Sequence, residues 1–151
     1  MILEYAKVRK SAFEPTRANP SDAGLDVFYS PENPHNKMYI SPNTSRVIPT
    51  GLKFDIPHGY MLEVKNRSSI AAKRQLLVGA CVIDSGYEGE VFVNLHNVGV
   101  ESQTLKPGAK IAQLVMIPVV HFRPSEAPQE TLYDYPTTIS NRGAGALGST
   151  D

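Results

Sequence analysis

Short alternations of apolar and polar residues recur along this chain, and Pro or Gly interrupts most windows that are long enough for three helical turns. The clearest alternation runs through residues 90–97, where Val91, Val93 and Leu95 fall on one face of a strand. A period of two residues is typical of half-buried β-strands. The pattern therefore predicts an all-β domain.

The predicted strands are short and numerous, which is typical of a jelly roll or a β-sandwich. One short helix is predicted, with an N-cap at Ser68 or Ser69 and a last residue near Lys73. Segment 30–44 is rich in Pro and Asn and is predicted to be a loop. The strands are expected near residues 2–9, 25–29, 45–56, 60–65, 76–83, 90–97, 101–106 and 110–121.

The strand pattern stops at about Pro124, where Pro, Ser, Thr, Gly and acidic residues take over. Residues after about Ser140 also lack the apolar content to fold by themselves. We therefore predict a β jelly-roll core at residues 1–123 and a mobile C-terminal arm at residues 124–151.

Composition and charge narrow the class of protein. The chain has 151 residues, 41% of them apolar, and 12 Pro, which fits one turn-rich globular domain. Its 15 acidic and 15 basic residues balance, so we expect no binding of a long nucleic acid. The single cysteine, Cys81, permits no intrachain disulfide. No signal sequence or membrane-length apolar run is visible, so we expect a cytoplasmic protein that binds no membrane.

The Arg67-Ser68-Ser69 segment lies between a predicted strand and the predicted helix. Its hydroxyls and the first amides of the helix could face an anion together, because helix N-termini attract phosphates. A simple N-cap beside a solvated arginine is the plainer interpretation, since serine is a common cap.

Asp84 follows an apolar run and precedes a turn that contains Tyr87, Gly86 and Gly89. A carboxylate at the end of a buried strand can be held rigidly beside a cleft and can accept a proton from water. Aspartate also caps many β-turns, so a purely structural role stays open.

Residues 142–150 combine Arg142 with alternating glycines and two hydroxyls, Ser149 and Thr150. Glycine lets backbone amides approach a ligand closely, and arginine suits a polyphosphate. The segment is not a P-loop, because no Gly-Lys-Ser/Thr follows it. A disordered tail is the alternative.

Taken in order, five segments resemble the five motifs of the trimeric dUTPase family, from about residue 22 to the last residue. The third of these segments is long and specific, and the ordered set carries more weight than any single segment. The similar segments are Ala23–Asp26 for the first motif, Arg67–Ser69 for the second, Val82–Glu90 for the third, Gly108–Leu114 for the fourth and Arg142–Thr150 for the fifth.

The resemblance implies a jelly-roll homotrimer whose active sites lie at subunit interfaces, each completed by a C-terminal arm exchanged between subunits. It also implies a dUTP diphosphatase, which limits uracil incorporation into DNA and supplies dUMP for dTMP synthesis. Asp84 would be the general base that activates water for attack at the α-phosphorus of dUTP. Tyr87 would pack on the deoxyribose and exclude a 2′-hydroxyl.

The resemblance implies roles for the remaining site residues too. Leu147 is expected to cover the uracil in the place of the usual phenylalanine, since Ala146-Leu147 stands where Gly-Phe is usual. The uracil is expected to be read by the backbone of a β-hairpin at Gly79, Ala80, Cys81 and Val82. Many family members have glycine where Cys81 stands. The phosphates are expected to bind Arg67, Ser68, Ser69, Gln113, Arg142, Gly148, Ser149 and Thr150.

Magnesium is the cofactor that the resemblance implies, bridging the phosphates of the nucleotide. The four histidines are scattered and lack the spacing of metal ligands, so no direct protein ligand is expected. Asp26 is a candidate to act on the ion through bound water.

Two other functions stay open on the same resemblance. A dCTP deaminase relative shares the trimeric fold and an Arg-Ser-Ser segment, although Tyr87 and the fifth motif argue against it. A nucleotide-gated protein from a virus or phage would bind a host or regulatory partner, with segment 30–44 as a candidate surface. Such a protein would lie in the host cytoplasm or nucleus.

Overall fold

The structure is a computed structural model that describes residues 1–135, 138–140 and 142–148. Within these residues it contains eleven β-strands and one short α-helix, which confirms the predicted all-β class. The chain forms two compact units, Met1–Val120 and His121–Asp151, and every strand and the helix belong to the first unit. The predicted division into a core at 1–123 and an arm at 124–151 stays a prediction.

The elements are numbered in chain order. The strands are β1 Glu4–Lys7, β2 Leu25–Phe28, β3 Met38–Ile40, β4 Ser45–Pro49, β5 Leu52–Asp55, β6 Tyr60–Lys65, β7 Leu76–Val78, β8 Val82–Asp84, β9 Phe92–Asn97, β10 Gln103–Leu105 and β11 Lys110–Pro118, and the helix is α1 Ser68–Arg74.

All strand pairs are antiparallel and form four sheets in the described part of the chain. The two larger sheets have the strand orders β2-β11-β6-β8 and β4-β9-β7, and the smaller ones pair β1 with β5 and β10 with β3. Val27 and Leu114 of the first larger sheet and Ile48 and Leu95 of the second lie in one buried core cluster. Burial of this apolar surface is the main favourable term in folding.

Strand β9 follows the predicted alternation. Val93 and Leu95 are fully buried and Val91, just before the strand, is nearly so, whereas Phe92 and His96 are exposed. Its last residue, Asn97, is buried and donates hydrogen bonds to the carbonyl oxygens of Ile40 (2.8 Å) and Glu101 (2.7 Å). A buried amide needs such partners, because an unsatisfied polar group costs free energy.

Three predicted segments differ from the structure. The strand predicted at 45–56 is two strands, because Gly51 has a φ of 71° and turns the chain between β4 and β5. Strand β3 lies inside segment 30–44, which was predicted to be a loop, and pairs with β10. The strand predicted at 76–83 is also two strands, β7 and β8, which belong to different sheets.

The helix begins as predicted but is capped differently. Its N-cap is Arg67, with extended backbone and no side-chain cap hydrogen bond, so the prediction of a serine cap was wrong. Ser68 and Ser69 lie in the first helical turn instead. The described residues contain no helix with the length and hydropathy of a membrane span.

Candidate active site

Asp84 is the last residue of β8 and is solvent-exposed. Strand β8 pairs with β6, with Asp84 opposite Met61, so the backbone on its N-terminal side is fixed by the sheet. A turn follows in which the backbone N–H of Tyr87 donates to the carbonyl oxygen of Asp84 at 3.2 Å. Gly86 has a φ of 88°, a conformation that glycine adopts without steric cost. The carboxylate is therefore presented to solvent from a well-defined backbone.

Tyr87 is folded back over its own turn. Its hydroxyl donates to the carbonyl oxygen of Glu90 at 2.8 Å, and a Cβ on Gly89 would lie 2.5 Å from that hydroxyl. Glu90 is itself held by an ion pair with Arg9 and by the backbone N–H of Gly51, which donates to its carboxylate at 2.7 Å. The aromatic ring consequently has fixed support although the residue is 46% exposed.

Two clefts meet at the Tyr87 turn. A cleft of about 230 Å³ has Asp84 and Tyr87 in its wall together with Val82 and Phe92. A cleft of about 560 Å³ includes the same tyrosine and residues of β1 and β5, such as Tyr5 and Phe54. Only the smaller cleft has Asp84 in its lining, so it is the space in which that carboxylate could meet a ligand.

A second polar cluster is centred on Asp26 in β2. This carboxylate is buried, with 7% relative exposure, and both of its oxygens contact cations. Arg67 Nε lies 2.9 Å from Oδ1, and Lys110 Nζ lies 2.9 Å from Oδ2. The contact with Asp26 is made through Nε, and the two Nη groups of the Arg67 guanidinium carry further N–H donors that could bind an anion.

Gln113 lies beside this cluster, in β11, and contacts both of the strands that flank β11 in the sheet. Its register partner is Asp26 on one side and Lys65 on the other, and its side-chain Nε2 donates to the carbonyl oxygen of Asn66 at 2.8 Å. A Cβ on Gly24 would lie 1.8 Å from Gln113 Oε1, so glycine is required there for the glutamine to take this position. Parts of the first, second and fourth motif-like segments thus come together.

Residues 79–81 do not form a hairpin, so the predicted hairpin was wrong, whereas the reading of uracil by residues 79–82 stays a prediction. Strand β7 pairs with β9 and strand β8 pairs with β6, so the intervening residues cross from one sheet to the other. The Cys81 carbonyl oxygen accepts a hydrogen bond from Val64 N at 2.8 Å, and Gly79 N donates to Asn94 O at 2.9 Å. Ala80 and Val82 are exposed, and Cys81 is half-buried.

The arm residues lie in the second unit. Arg142 Nε donates to the Gly145 carbonyl oxygen at 2.8 Å, and the Gly145 N–H donates back to Arg142 O at 3.1 Å. Leu147 is exposed and has a φ of 47°, and Gly148 has a φ of 88°. Ser149 and Thr150, which were predicted to bind phosphate, lie outside the described residues.

The predicted residues of the first unit fall into two groups along β6. Asp84 is opposite Met61, whereas Arg67 lies two residues beyond Lys65, at the other end of the strand. A rise of about 3.3 Å per residue separates Met61 from Lys65 by about 13 Å. One chain therefore keeps the Asp84–Tyr87 group apart from the Asp26–Arg67–Gln113 group.

Several residues that shape these groups had no role predicted from the sequence. Lys110 was noted only as part of the fourth motif, yet it contacts Asp26. Asn66 and Asn94 were not noted as site residues, and their hydrogen bonds to the β7–β8 connection come from elements distant in sequence. Of these three residues, only Lys110 could have been found from the sequence, because it lies in the same motif-like segment as Gln113.

The family model of dUTPase matches residues 10–150. The chain belongs to the dUTPase family. Among its relatives, a deoxyuridine 5′-triphosphate nucleotidohydrolase from Chlamydia muridarum is 33% identical over 97% of this chain and 96% of its own length. Another, from Gloeobacter violaceus, is 38% identical over 89% of this chain and 86% of its own length. The family predicted from the motifs is confirmed.

Solved dUTPases share the fold. A mutant dUTPase of Staphylococcus bacteriophage 80alpha, determined with dUpNHpp, superposes with a TM-score of 0.83 at 24% identity and covers 99% of this chain and 98% of its own. The dUTPase from phage phi11 of S. aureus gives a TM-score of 0.77 at 23% identity over 84% of this chain and 96% of its own. These similarities support the jelly-roll-like fold of the dUTPase family.

Proposed function

We propose that this dUTPase-family chain hydrolyses dUTP to dUMP and pyrophosphate, with Asp84 as the general base. The observation that carries the proposal is the placement of Asp84, whose exposed carboxylate lines a cleft beside the fixed ring of Tyr87. The relatives that carry the nucleotidohydrolase name match nearly the whole chain, so this placement belongs to a protein of the same family.

In the proposed reaction, Asp84 accepts a proton from a water molecule whose oxygen attacks the α-phosphorus. The bond between that phosphorus and the oxygen bridging to the β-phosphorus breaks, and pyrophosphate leaves with the bridging oxygen. A positioned general base contributes roughly 10²–10⁴ in rate. The remaining acceleration comes from holding the phosphates in line and neutralising their charge.

Tyr87 is proposed to select the sugar. Its hydroxyl is occupied by the Glu90 carbonyl oxygen, so the ring cannot easily turn to make room for an additional group. A ring packed against the deoxyribose would clash with a 2′-hydroxyl. UTP should consequently be a poor substrate.

Arg67, Lys110 and Gln113 are proposed to bind the phosphates. Asp26 holds Arg67 through Nε and leaves the planar fork of Nη donors for phosphate oxygens, to which arginine binds in bidentate fashion. Lys110 adds a second positive charge within the same cluster. Two cations and one carboxylate give the cluster a net positive charge, which favours binding of a triphosphate.

Magnesium is the proposed cofactor, and it would neutralise charge on the phosphates when it is bound. Among the described residues, no group of three or more His, Cys, Asp or Glu side chains could hold a metal ion. Phosphate oxygens and water would then supply most of its ligands, as is usual for magnesium. Asp26 stays the candidate for contact through water, because each carboxylate oxygen can accept a second hydrogen bond.

We further propose that the active site is shared between subunits of a homotrimer. In one chain, strand β6 separates Asp84 from Arg67, although the α-phosphate must be reached by the base and held by the cations. A site that joins Asp84 of one subunit to Arg67 of another removes this conflict. The arm, which carries Arg142 and Leu147, would come from a third subunit.

Product analysis tests the proposed activity. Purified protein is incubated with dUTP, dTTP, dCTP or UTP and magnesium, and the phosphorus and base products are identified. We expect dUMP and pyrophosphate from dUTP and little turnover of the others. Ammonia released from dCTP would indicate a deaminase instead.

Asp84→Asn tests the role of the base. The amide keeps the shape of the side chain but cannot take the proton, so hydrolysis should fall at least about 10²-fold while a non-hydrolysable dUTP analogue still binds. Asp22→Asn is the matched control, because Asp22 is exposed and its carboxylate accepts hydrogen bonds from Asn19. An Asp84→Asn protein with wild-type turnover would refute the assignment.

A further inference from the structure

Two asparagine side chains accept hydrogen bonds from the end of β7 and the start of its connection to β8. Asn66 Oδ1 accepts a hydrogen bond from the backbone N–H of Val78 at 2.8 Å. Asn94 Oδ1 accepts a longer one, 3.4 Å, from Ala80 N, and the main-chain oxygen of Asn94 accepts one from Gly79 N. The connection is therefore tied to the end of β6 and to the middle of β9.

His96 completes the support on the β9 side. Its Nε2 lies 2.9 Å from Asn94 Oδ1, and Asn94 Nδ2 donates to the Arg46 carbonyl oxygen at 3.4 Å, so the amide is held from both ends. A Cβ on Gly79 would lie 2.2 Å from Asn94 Oδ1 and 2.5 Å from His96 Nε2. Asn94 and His96 pack directly against the Gly79 backbone and leave no space for a side chain there.

We infer that Asn66 and Asn94 are positioning residues for recognition of the base. This inference rests on the proposed hydrolysis of dUTP and on the role that the family resemblance implies for residues 79–82, whose backbone would read uracil. A backbone recognises a base edge only when its N–H and C=O groups are held at fixed positions, because the hydrogen bonds depend steeply on distance and angle. The two asparagine side chains add to the restraint that the backbone hydrogen bonds of Gly79 and Cys81 supply, in a segment whose residues 79–81 belong to no strand.

The inference separates base binding from phosphate binding. Both side-chain contacts are made to the backbone of residues 78–80, whereas the side chains of Arg67 and Lys110 contact Asp26 in the group that is proposed to bind phosphate. The hydrogen bond from Gln113 to Asn66 is made to the main-chain oxygen, which Asn66→Ala retains. Loss of either contact should therefore weaken binding of the nucleoside part of dUTP. It should leave the affinity for inorganic triphosphate, which lacks a base, unchanged.

The first experiment measures steady-state kinetics of Asn94→Ala and Asn66→Ala with dUTP, and competitive inhibition by inorganic triphosphate. We expect KM for dUTP to rise about five- to tenfold, as for one lost hydrogen bond, with kcat within about twofold of wild type. The inhibition constant of triphosphate should not change. Asn94→Asp keeps the acceptor oxygen but loses the Nδ2 donor to the Arg46 carbonyl oxygen, so its KM should lie between those of wild type and Asn94→Ala. Asn36→Ala, at an exposed position in segment 30–44, is the matched control.

Gly79→Ala tests the same contact from the other side. The backbone at Gly79 does not have a positive φ, so the new methyl group should act by displacing the Asn94 and His96 side chains. We expect the same rise in KM as in Asn94→Ala, with a cooperative thermal unfolding transition retained. This variant also keeps the inference testable if Asn94→Ala does not fold.

The outcomes distinguish the two proposals. Wild-type protein that releases no pyrophosphate from dUTP would contradict the proposed function and this inference with it. Active wild-type protein whose KM for dUTP is unaltered in Asn94→Ala, Asn66→Ala and Gly79→Ala would overturn the positioning role alone. An equal loss of affinity for dUTP and for triphosphate would also overturn it, because the asparagines would then support the site as a whole.

Discussion

Asp26 is a buried carboxylate that connects two motif-like segments through charge. It contacts Arg67 before the helix and Lys110 at the start of β11, each at 2.9 Å. Burial of a carboxylate costs free energy unless such partners compensate its loss of contact with water. The negative charge of Asp26 in turn holds the two cations close together.

Asp26→Asn is expected to reduce both stability and substrate binding. The two cations would lose their shared counter-charge, which should lower the free energy of unfolding by about 1–3 kcal/mol. Arg67 would also lose its orientation, so KM for dUTP should rise. Urea denaturation at one protein concentration measures the first effect, with Asp22→Asn as the exposed control expected to stay within about 0.5 kcal/mol. Equal stabilities of the two variants would contradict this role of Asp26.

Individual site residues could be proposed from the sequence only where a motif marked them. Asp84, Tyr87 and Gln113 lie in long motif-like segments, and the structure gives each of them a defined partner or position. Asn66 and Asn94 had no such mark, because their hydrogen bonds depend on how β6, β7 and β9 are arranged in space. The sequence does not show which loop a polar residue on the surface of a strand will contact.

Strand β9 contributes to both the core and the candidate site, because its two faces contact different parts of the molecule. Val93 and Leu95 are buried in the core, whereas Asn94 and His96 on the other face contact the β7–β8 connection. The period of two residues in a strand allows this division. Substitutions on the two faces should therefore have separable effects.

A matched pair of valine substitutions tests the buried face. Val93→Ala should lower the free energy of unfolding by about 1.5–3 kcal/mol, since it removes buried methyl groups and leaves a cavity. Val100→Ala should change it by less than about 0.5 kcal/mol, because Val100 is 89% exposed. Chemical denaturation of both proteins at equal concentration measures the difference. Similar losses in the two variants would mean that β9 is not packed as described.

The hydrophobic pattern was sufficient for some elements and insufficient for others. Strand β6 and the alternation of β9 follow directly from it, because both strands have one face in the core. The pattern missed the break at Gly51, where a positive φ and close contact with Ala12 turn the chain. It also predicted one strand where β7 and β8 occur. Each of these strands has only three residues, which is too short for the apolar pattern to show that they belong to different sheets.

At the scale of the whole molecule, every strand and the helix of the described residues lie in the unit Met1–Val120. The unit His121–Asp151 contains the last motif-like segment, with Arg142 and Leu147, and its described part has neither strand nor helix. A division of this kind predicts that the fold does not depend on the C-terminal segment. Its contribution should be to substrate binding.

Truncation after Ser140 tests this division of tasks. The shortened protein should keep the thermal unfolding transition of the full chain, because the core cluster lies before residue 120. It should lose most dUTP hydrolysis, because Arg142 and the glycine amides that are proposed to contact phosphate are removed. Calorimetry and a pyrophosphate-release assay measure the two properties. Full activity of the truncated protein would show that the arm is not part of the site.

The central proposal is that dUTP is hydrolysed at a site joining Asp84 of one subunit to Arg67 of another. Mixing two inactive variants, Asp84→Asn and Arg67→Ala, tests this claim most directly. Each is purified alone, and equal amounts are unfolded and refolded together. In a cyclic trimer with random assembly, about a quarter of the sites would combine an intact Asp84 with an intact Arg67. We predict that the mixture recovers about a quarter of wild-type pyrophosphate release, while each variant refolded alone stays inactive. A wild-type control that regains activity after the same refolding, beside a mixture as inactive as its two components, would contradict the claim.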